Sequence, residues 1–76
     1  MTPTELRDVV VANIAQRRRE LGLTQVAAAA RADITQASWA RIEAGNRRPS
    51  LDVLAKMSIA LDTTPGTLLS RDSFSG

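Results

Sequence analysis

Two short segments that each open with a Thr-Gln pair constrain the fold of this chain more than any other feature. They occupy residues 24–45, TQVAAAARADITQASWARIEAG, and a turn around Asp33 separates them. Thr24 and Thr35 are typical N-cap residues, whose hydroxyls accept hydrogen bonds from unpaired amides at a helix start. Gly45 is typical of a helix end. The segment therefore predicts a helix from Thr24 to about residue 32, a tight turn, and a second helix from Thr35 to residue 44.

The second of these helices has two contrasting faces. Trp39 and Ile42 fall on one face, and the opposite face carries long polar or small residues: Gln36, Ala37, Ala40, Arg41 and Ala44. Small residues let a backbone approach a duplex closely, and in the major groove Gln pairs bidentately with adenine and Arg with guanine. The pattern is typical of a DNA-reading helix, although Ala40 and Ala44 are equally explained as good helix formers.

The sequence resembles the lambda-repressor-like helix-turn-helix family, the phage Cro and repressor type that is also called Xre-like. The resemblance covers roughly residues 10 to 69. It is carried by Ile14, Arg18, Gly22-Leu23-Thr24-Gln25, Ala29, Ile34-Thr35-Gln36, Arg41-Ile42-Glu43, Gly45, Pro49-Ser50-Leu51, Leu54, Leu61 and Leu68-Leu69. It implies an all-α, five-helix lambda-repressor-like DNA-binding domain with the helix-turn-helix at helices 2 and 3. An ordinary helical domain whose Gln and Arg side chains are merely solvated is the alternative.

The resemblance also implies which residues would read bases. It places helix 3 in the major groove, with helix 2 crossing the backbone. Gln36 is then the main base reader, and the family's counterpart of Gln25 grips a phosphate and hydrogen-bonds the counterpart of Gln36. Ala37 would touch a thymine methyl group. Arg41 would reach either guanine or a phosphate, and the sequence does not choose between them.

Phosphate contacts are implied at the start of helix 2 and in the loop after helix 3. The residues concerned are Thr24, Gln25, Asn46, Arg47 and Arg48. Such contacts fix the register of a protein on DNA without reading sequence. For Thr24, capping alone would account for the residue, and the loop residues can also be read as a solvated basic segment.

Arg18 and Glu43 match a family pair that forms a buried or half-buried salt bridge between helix 1 and the end of helix 3.

The chain departs from the family pattern at three positions: Ala28 replaces a usual leucine, Trp39 a usual medium aliphatic residue, and Asp33 a usual glycine. We expect the Trp39 indole to fill the space over Ala28. The alternative is that Trp39 stacks on DNA or on a partner. Asp tolerates the left-handed backbone of the turn better than most residues.

Helix signals outside the motif complete the predicted fold. Thr2 and Pro3 open a first helix that runs to Gly22. Ser50 caps a fourth helix, and Thr64 begins a short fifth helix that ends near residue 69. The front of the first helix is longer than the family pattern requires.

The composition excludes several classes of function. Among 76 residues there is no cysteine and no histidine, so the chain offers no disulfide, no Cys/His zinc site and no thiol or imidazole catalyst. Paired carboxylates at a plausible site and a glycine-rich phosphate loop are also absent, and we expect no enzyme activity, no cofactor and no metal.

The longest apolar run, Val26–Ala30, is far short of a membrane span, and the amino terminus lacks a signal-peptide core. We expect one soluble, cytoplasmic domain over residues 1–76, with a polar tail at residues 71–76.

The basic residues point to a nucleic-acid partner more clearly than the net charge of +2 does. Nine of the ten are arginine and only Lys56 is lysine. Arginine suits phosphate and guanine, although an Ala- and Arg-rich chain also fits a bias in genomic base composition. Arg41, Arg47 and Arg48 cluster at the end of the predicted reading helix, which favours DNA. One Trp, one Phe and no Tyr leave too few stacking platforms for single strands.

Together these features predict a sequence-specific double-stranded DNA-binding transcriptional regulator. One module of this size gives limited affinity, so we expect a homodimer on a palindromic operator. The predicted dimer surface is helix 5, at Thr67, Leu68 and Leu69; the two adjacent leucines cannot both be buried by one helix face, so at least one should cross the two-fold axis. The alternatives are the DNA-binding component of a toxin–antitoxin or restriction–modification control system, or a protein-interaction adaptor that kept the fold.

Overall fold

Five α-helices follow one another along residues 1–71, which are the residues that the computed structural model describes. The helices are α1 (Pro3–Glu20), α2 (Gln25–Ala32), α3 (Gln36–Glu43), α4 (Leu51–Ala60) and α5 (Pro65–Leu69), and no strand occurs in this range. The predicted all-α, five-helix architecture is confirmed. Apart from Arg71, the predicted polar tail lies outside the described residues.

A hydroxyl side chain begins every one of these helices. The N-cap residues Thr2, Thr24, Thr35, Ser50 and Thr64 each accept a hydrogen bond from the backbone amide three residues further on. Each such cap stabilises a helix by about 1 kcal/mol. All five starts are thus encoded locally, which is why they were predictable from sequence.

A residue in the left-handed conformation ends each of the first four helices. Gly22 and Gly45 have φ angles of 69° and 79°, and Asp33 and Asp62 have 55° and 54°. At each end the next residue's amide reaches back to a carbonyl of the last turn; the Ile34 amide, for example, donates to the carbonyl of Ala29 at 3.1 Å. Asp33 therefore preserves the turn of the helix-turn-helix without a glycine, as expected from the tolerance of Asp for this conformation.

The core joins all five helices. Helix α2 packs on α3 and α4, and α1 packs on α3 and α5. The fully buried large side chains are Trp39, Ile14, Ile42, Met57, Leu61 and Leu68. Trp39 and Ala28 are both completely buried in this one cluster. The expectation that Trp39 fills core volume is confirmed, and stacking of Trp39 on DNA is inconsistent with its burial.

Two polar side chains of α1 hold the last helices in place. Asn13 is buried, and its Nδ2 donates to the carbonyls of Leu68 and Ser70, both at 2.8 Å. Arg17 Nε donates to the carbonyl of Leu61 at 2.9 Å. These contacts satisfy carbonyls that a helix end leaves without partners.

The predicted dimer surface needs one correction. Leu68 is fully buried in the core, so it is not a surface residue. Leu69 is 39% exposed and Thr67 is half-buried. Because α5 is only five residues long, its sequence pattern could not decide which of two adjacent leucines faces inward. Within residues 1–71, no helix is both long and apolar enough to cross a membrane.

Candidate nucleic-acid interface

The outer face of α3 presents the predicted base readers. Gln36, Ala37 and Arg41 are exposed, whereas Trp39 and Ile42 on the opposite face have no exposed surface. The two buried residues fix the rotation of the helix about its axis. The three predicted readers therefore lie together on one exposed surface, with side chains of different reach.

The two glutamines that open α2 and α3 meet. Nε2 of Gln36 lies 3.5 Å from Oε1 of Gln25, a long hydrogen bond between exposed parts of the two side chains. Gln25 is half-buried. The contact is the one that the family resemblance implied, and it restricts the side chain of Gln36 before any duplex is present.

The predicted phosphate-contacting residues come from two segments, the start of α2 and the loop after α3. Thr24 is exposed, and its hydroxyl caps α2 by accepting from the Ala27 amide at 3.0 Å. Asn46, Arg47 and Arg48 are all exposed in the loop after α3. The cap explains Thr24 structurally and leaves the residue exposed at the start of α2.

Arg47 is connected to α3 by a contact that the sequence did not reveal. Its Nη1 donates to Oγ of Ser38 at 3.0 Å, and Ser38 also accepts from the hydroxyl of Thr35 at 2.9 Å. The loop is thereby held against the first turn of α3. No spacing rule links residues nine positions apart across a loop, so this contact had no sequence signal.

The predicted salt bridge between Arg18 and Glu43 is present and bidentate. Nη2 of Arg18 lies 2.6 Å from Oε1 of Glu43, and Nε lies 2.9 Å from Oε2. The side chains are 14% and 7% exposed. The remaining arginine nitrogen, Nη1, donates to the carbonyl of Leu23 at 2.8 Å. The pair connects α1 to the last turn of α3 and to the segment that leads into α2.

Trp39 adds a further donor to the same carboxylate. Its Nε1 donates to Oε2 of Glu43 at 2.6 Å. A buried indole N–H usually requires a partner, and residues four apart on a helix lie on the same side. The i,i+4 spacing of Trp39 and Glu43 was therefore a usable sequence signal that the sequence analysis missed.

These contacts control the ionisation of Glu43. Burial raises the pKa of its carboxyl group, but hydrogen bonds from Arg18 and Trp39 and the charge of Arg18 outweigh that effect. The pKa of Glu43 consequently lies below its ordinary value of 4.5. The hydrogen bond to Glu43 likewise raises the pKa of Arg18, against the opposing effect of burial. Both side chains are therefore charged at neutral pH.

The described residues give this surface no metal centre, since none of them form a group of three or more ligand-type side chains. The arrangement offers amide and guanidinium groups on a rigid convex helix, which suits recognition of a duplex groove.

Comparison with known proteins agrees with this geometry. A helix-turn-helix family model of the Xre and lambda-repressor-like type matches residues 14–68. No curated protein and no solved structure was found to be significantly similar to the chain. The chain belongs to this helix-turn-helix family, and it is a DNA-binding regulator in the general sense that the family defines.

Proposed function

We propose that the protein is a sequence-specific regulator of transcription that binds double-stranded DNA through the outer face of α3. The observation that carries the proposal is the exposure of Gln36, Ala37 and Arg41 on a helix whose other face is locked by the buried Trp39 and Ile42. In this function the three exposed residues contact base edges in the major groove. The protein carries out no chemical reaction and needs no cofactor, and it acts in the cytoplasm, where its DNA lies.

The residues around α3 supply the proposed phosphate contacts. Those residues are Thr24, Gln25, Asn46, Arg47 and Arg48. They come from the start of α2 and from the loop after α3, and phosphate contacts fix the register and orientation of a recognition helix on the duplex. The Arg18–Glu43 pair acts behind this surface by holding α3 against α1.

We further propose that two copies bind together on a palindromic operator. An apolar groove of about 260 Å³ lies beside the end of α5, and the leucines at its edge, Leu6, Leu51 and Leu69, are 38%, 85% and 39% exposed. Arg48 also lines this groove, so the groove adjoins the proposed phosphate surface. A second copy seated there would place two phosphate-binding loops side by side along one duplex. This surface keeps Leu69 from the predicted set of Thr67, Leu68 and Leu69 and leaves out the buried Leu68.

Selection of bound duplexes from a random DNA pool tests the function directly. The expected result is a single consensus made of two inverted half-sites. A consensus without two-fold symmetry would contradict the homodimer, and recovery of no preferred sequence would contradict sequence-specific binding. A matched selection with Gln36→Ala shows which base pair depends on α3.

A further inference from the structure

The hydroxyl group of Ser38 has both of its acceptor positions occupied. Its Oγ accepts a hydrogen bond from the hydroxyl of Thr35 at 2.9 Å and another from Nη1 of Arg47 at 3.0 Å. A serine hydroxyl has one hydrogen to donate and two lone pairs that accept. Within residues 1–71, no group accepts the side-chain hydrogen of Ser38. The hydroxyl can therefore bind a further group only as a donor.

The guanidinium group of Arg47 keeps most of its donors for another partner. Arginine carries several N–H groups in a planar fork, and the hydrogen bond to Ser38 uses one of them. Arg47 is exposed, and in the described part of the chain it forms no ion pair with a carboxylate. The contact places this positive charge beside the donor hydroxyl of Ser38. Adjacent donors, one of them charged, suit an anion with several oxygens such as a phosphate group.

Ser38 lies at the edge of the outer face of α3. Residues three and four positions apart are neighbours on a helix surface, and the next-turn neighbours of Ser38 are the exposed Arg41 and the buried Ile42. Ser38 itself is half-buried, which agrees with a position at this boundary. When a helix lies in the major groove, its outermost face meets base edges and its edges face the phosphate backbones that border the groove. Ser38 and Arg47 are thus placed to meet the backbone of the duplex.

We propose that Ser38 and Arg47 bind one phosphate group of the duplex together, with Ser38 both donating its hydroxyl hydrogen and holding Arg47 in position. The inference rests on the proposed function, in which α3 enters the major groove and Arg47 contacts a phosphate. It adds Ser38 to the phosphate-contacting residues of that interface. An arginine that is already oriented loses less side-chain freedom on binding than a mobile one, so its contact with Ser38 should raise affinity.

The salt dependence of binding separates this role from a purely structural one. Arg47→Ala removes a charge bound to a phosphate and should lower the slope of log affinity against log salt by about one unit. Ser38 carries no charge, so Ser38→Ala would leave the slope unchanged if the residue only supported the helix. Because Ser38 holds Arg47 at the phosphate, we expect Ser38→Ala to lower the slope by a part of that unit. It should also weaken binding to all sequences by about 2- to 10-fold.

Neutralising single phosphates of the preferred duplex shows whether the two residues share a target. A methylphosphonate replaces one charged phosphate oxygen by a methyl group, and a series of duplexes carries it at successive positions. We expect one position at which it weakens the parent and reduces the losses caused by Ser38→Ala and by Arg47→Ala to about twofold or less each, because groups that act on one target are not additive. Arg48→Ala is the matched control. Arg48 is the neighbouring loop arginine and has no hydrogen bond to Ser38, so its loss should persist at that position.

Two sets of variants guard against a folding defect. Ser38→Ala should stay folded because alanine has a higher helix propensity than serine, and melting curves check this. Ser38→Thr and Ser38→Val form a second pair, since their side chains share a shape and differ by a hydroxyl in place of a methyl group. Ser38→Thr should keep the parental salt slope and Ser38→Val should lower it. If Ser38→Ala does not fold, this pair decides.

The outcomes separate this inference from the proposed function. Parental salt slopes in folded Ser38→Ala and Ser38→Val would overturn the shared contact, and so would losses for Ser38→Ala and Arg47→Ala that map to different phosphates. Either result would leave duplex binding by α3 intact. A parent that prefers no sequence would contradict the proposed function, and the shared contact with it. Lowered slopes, with both losses removed by the same methylphosphonate, support the inference.

Discussion

At the scale of single residues, Gln36 and Arg48 represent the two kinds of contact expected on this surface. Gln36→Ala should cost about 1–3 kcal/mol on the preferred site and relax discrimination at one base pair per half-site, because it removes a base contact. Arg48→Ala should weaken all sequences alike and reduce the salt slope of binding by about one unit, because it removes a phosphate contact. Binding measured on matched duplexes at several salt concentrations checks both. A Gln36→Ala variant with parental base preferences would contradict the assignment.

A second residue-scale prediction concerns the left-handed helix ends. A methyl group added at Gly45 meets no atom within 4 Å, so the cost of Gly45→Ala is purely that of its φ angle of 79°. That cost is about 1–2 kcal/mol of unfolding free energy, measurable by urea denaturation. Gly66→Ala is the control, because Gly66 lies inside α5 without a positive φ and its added methyl makes only an ordinary contact. This substitution should stabilise the protein by up to about 1 kcal/mol. If Gly45→Ala and Gly66→Ala destabilised the protein equally, the cost of Gly45→Ala would not come from the φ angle of Gly45.

At the scale of elements, Trp39 should report on the attachment of α3 to the core. It is the only tryptophan and is fully buried, so its emission should be blue-shifted in the free protein and barely change when duplex is added. Trp39→Ala should lower the free energy of unfolding by about 3–5 kcal/mol. Trp39→Phe keeps most of the ring volume and loses the donor to Glu43, and should cost about 1–3 kcal/mol. If iodide quenched the Trp39 emission of the free protein and added duplex prevented that quenching, the burial of Trp39 would be contradicted.

The Glu43 carboxylate should also make the attachment of α3 sensitive to acid. Its pKa is lowered in the folded protein, so its contribution to stability is complete above the ordinary carboxyl pKa of 4.5 and is lost as the pH falls through the lower folded value. The stability advantage of the parent over Glu43→Gln should therefore be constant near neutral pH and shrink below about pH 4. Thermal unfolding of the two proteins from pH 7 to pH 3 measures it. An advantage that grows on acidification would have the wrong sign for an ionised native Glu43.

The elements themselves were largely predictable because their signals are local. Hydroxyl caps act within four residues, and they located the starts of all five helices to within about one residue. Contacts between distant segments carried no such signal. Asn13 reaches carbonyls 55 and 57 residues away, and a lone Asn on a helix face is ordinarily a solvated residue. The pairing of Arg18 with Glu43 was found only because the family resemblance supplied it.

At the scale of the whole molecule, the proposed homodimer predicts the geometry of the operator. Two copies joined across the groove should place their α3 helices about 34 Å apart, which is one turn of DNA, so half-site centres should lie ~10 base pairs apart. Leu51→Glu and Leu69→Glu should reduce cooperative binding to the full operator and leave binding to a single half-site unchanged. Ile59→Glu is the matched control, because Ile59 is 76% exposed on α4 but does not line the groove.

Leu68→Glu is unsuitable for this purpose, since it would place a charge in the core and unfold the monomer. Quantitative gel shifts on one and two half-sites, with the mass of each complex, provide the measurement. One protein copy on a high-affinity site, with Leu51→Glu and Leu69→Glu binding like the parent, would rule out the homodimer.

The division of α3 into an exposed and a buried face has a consequence for engineering and for divergence among related chains. Exposed positions 36, 37 and 41 contribute little to folding, so their side chains can be exchanged to obtain new target sequences at small cost in stability. Positions 39 and 43 belong to the fold, because Trp39 is buried in the core and Glu43 pairs with Arg18. A library randomised at the first set should yield many folded proteins with altered targets, whereas one randomised at the second should yield mostly unfolded chains.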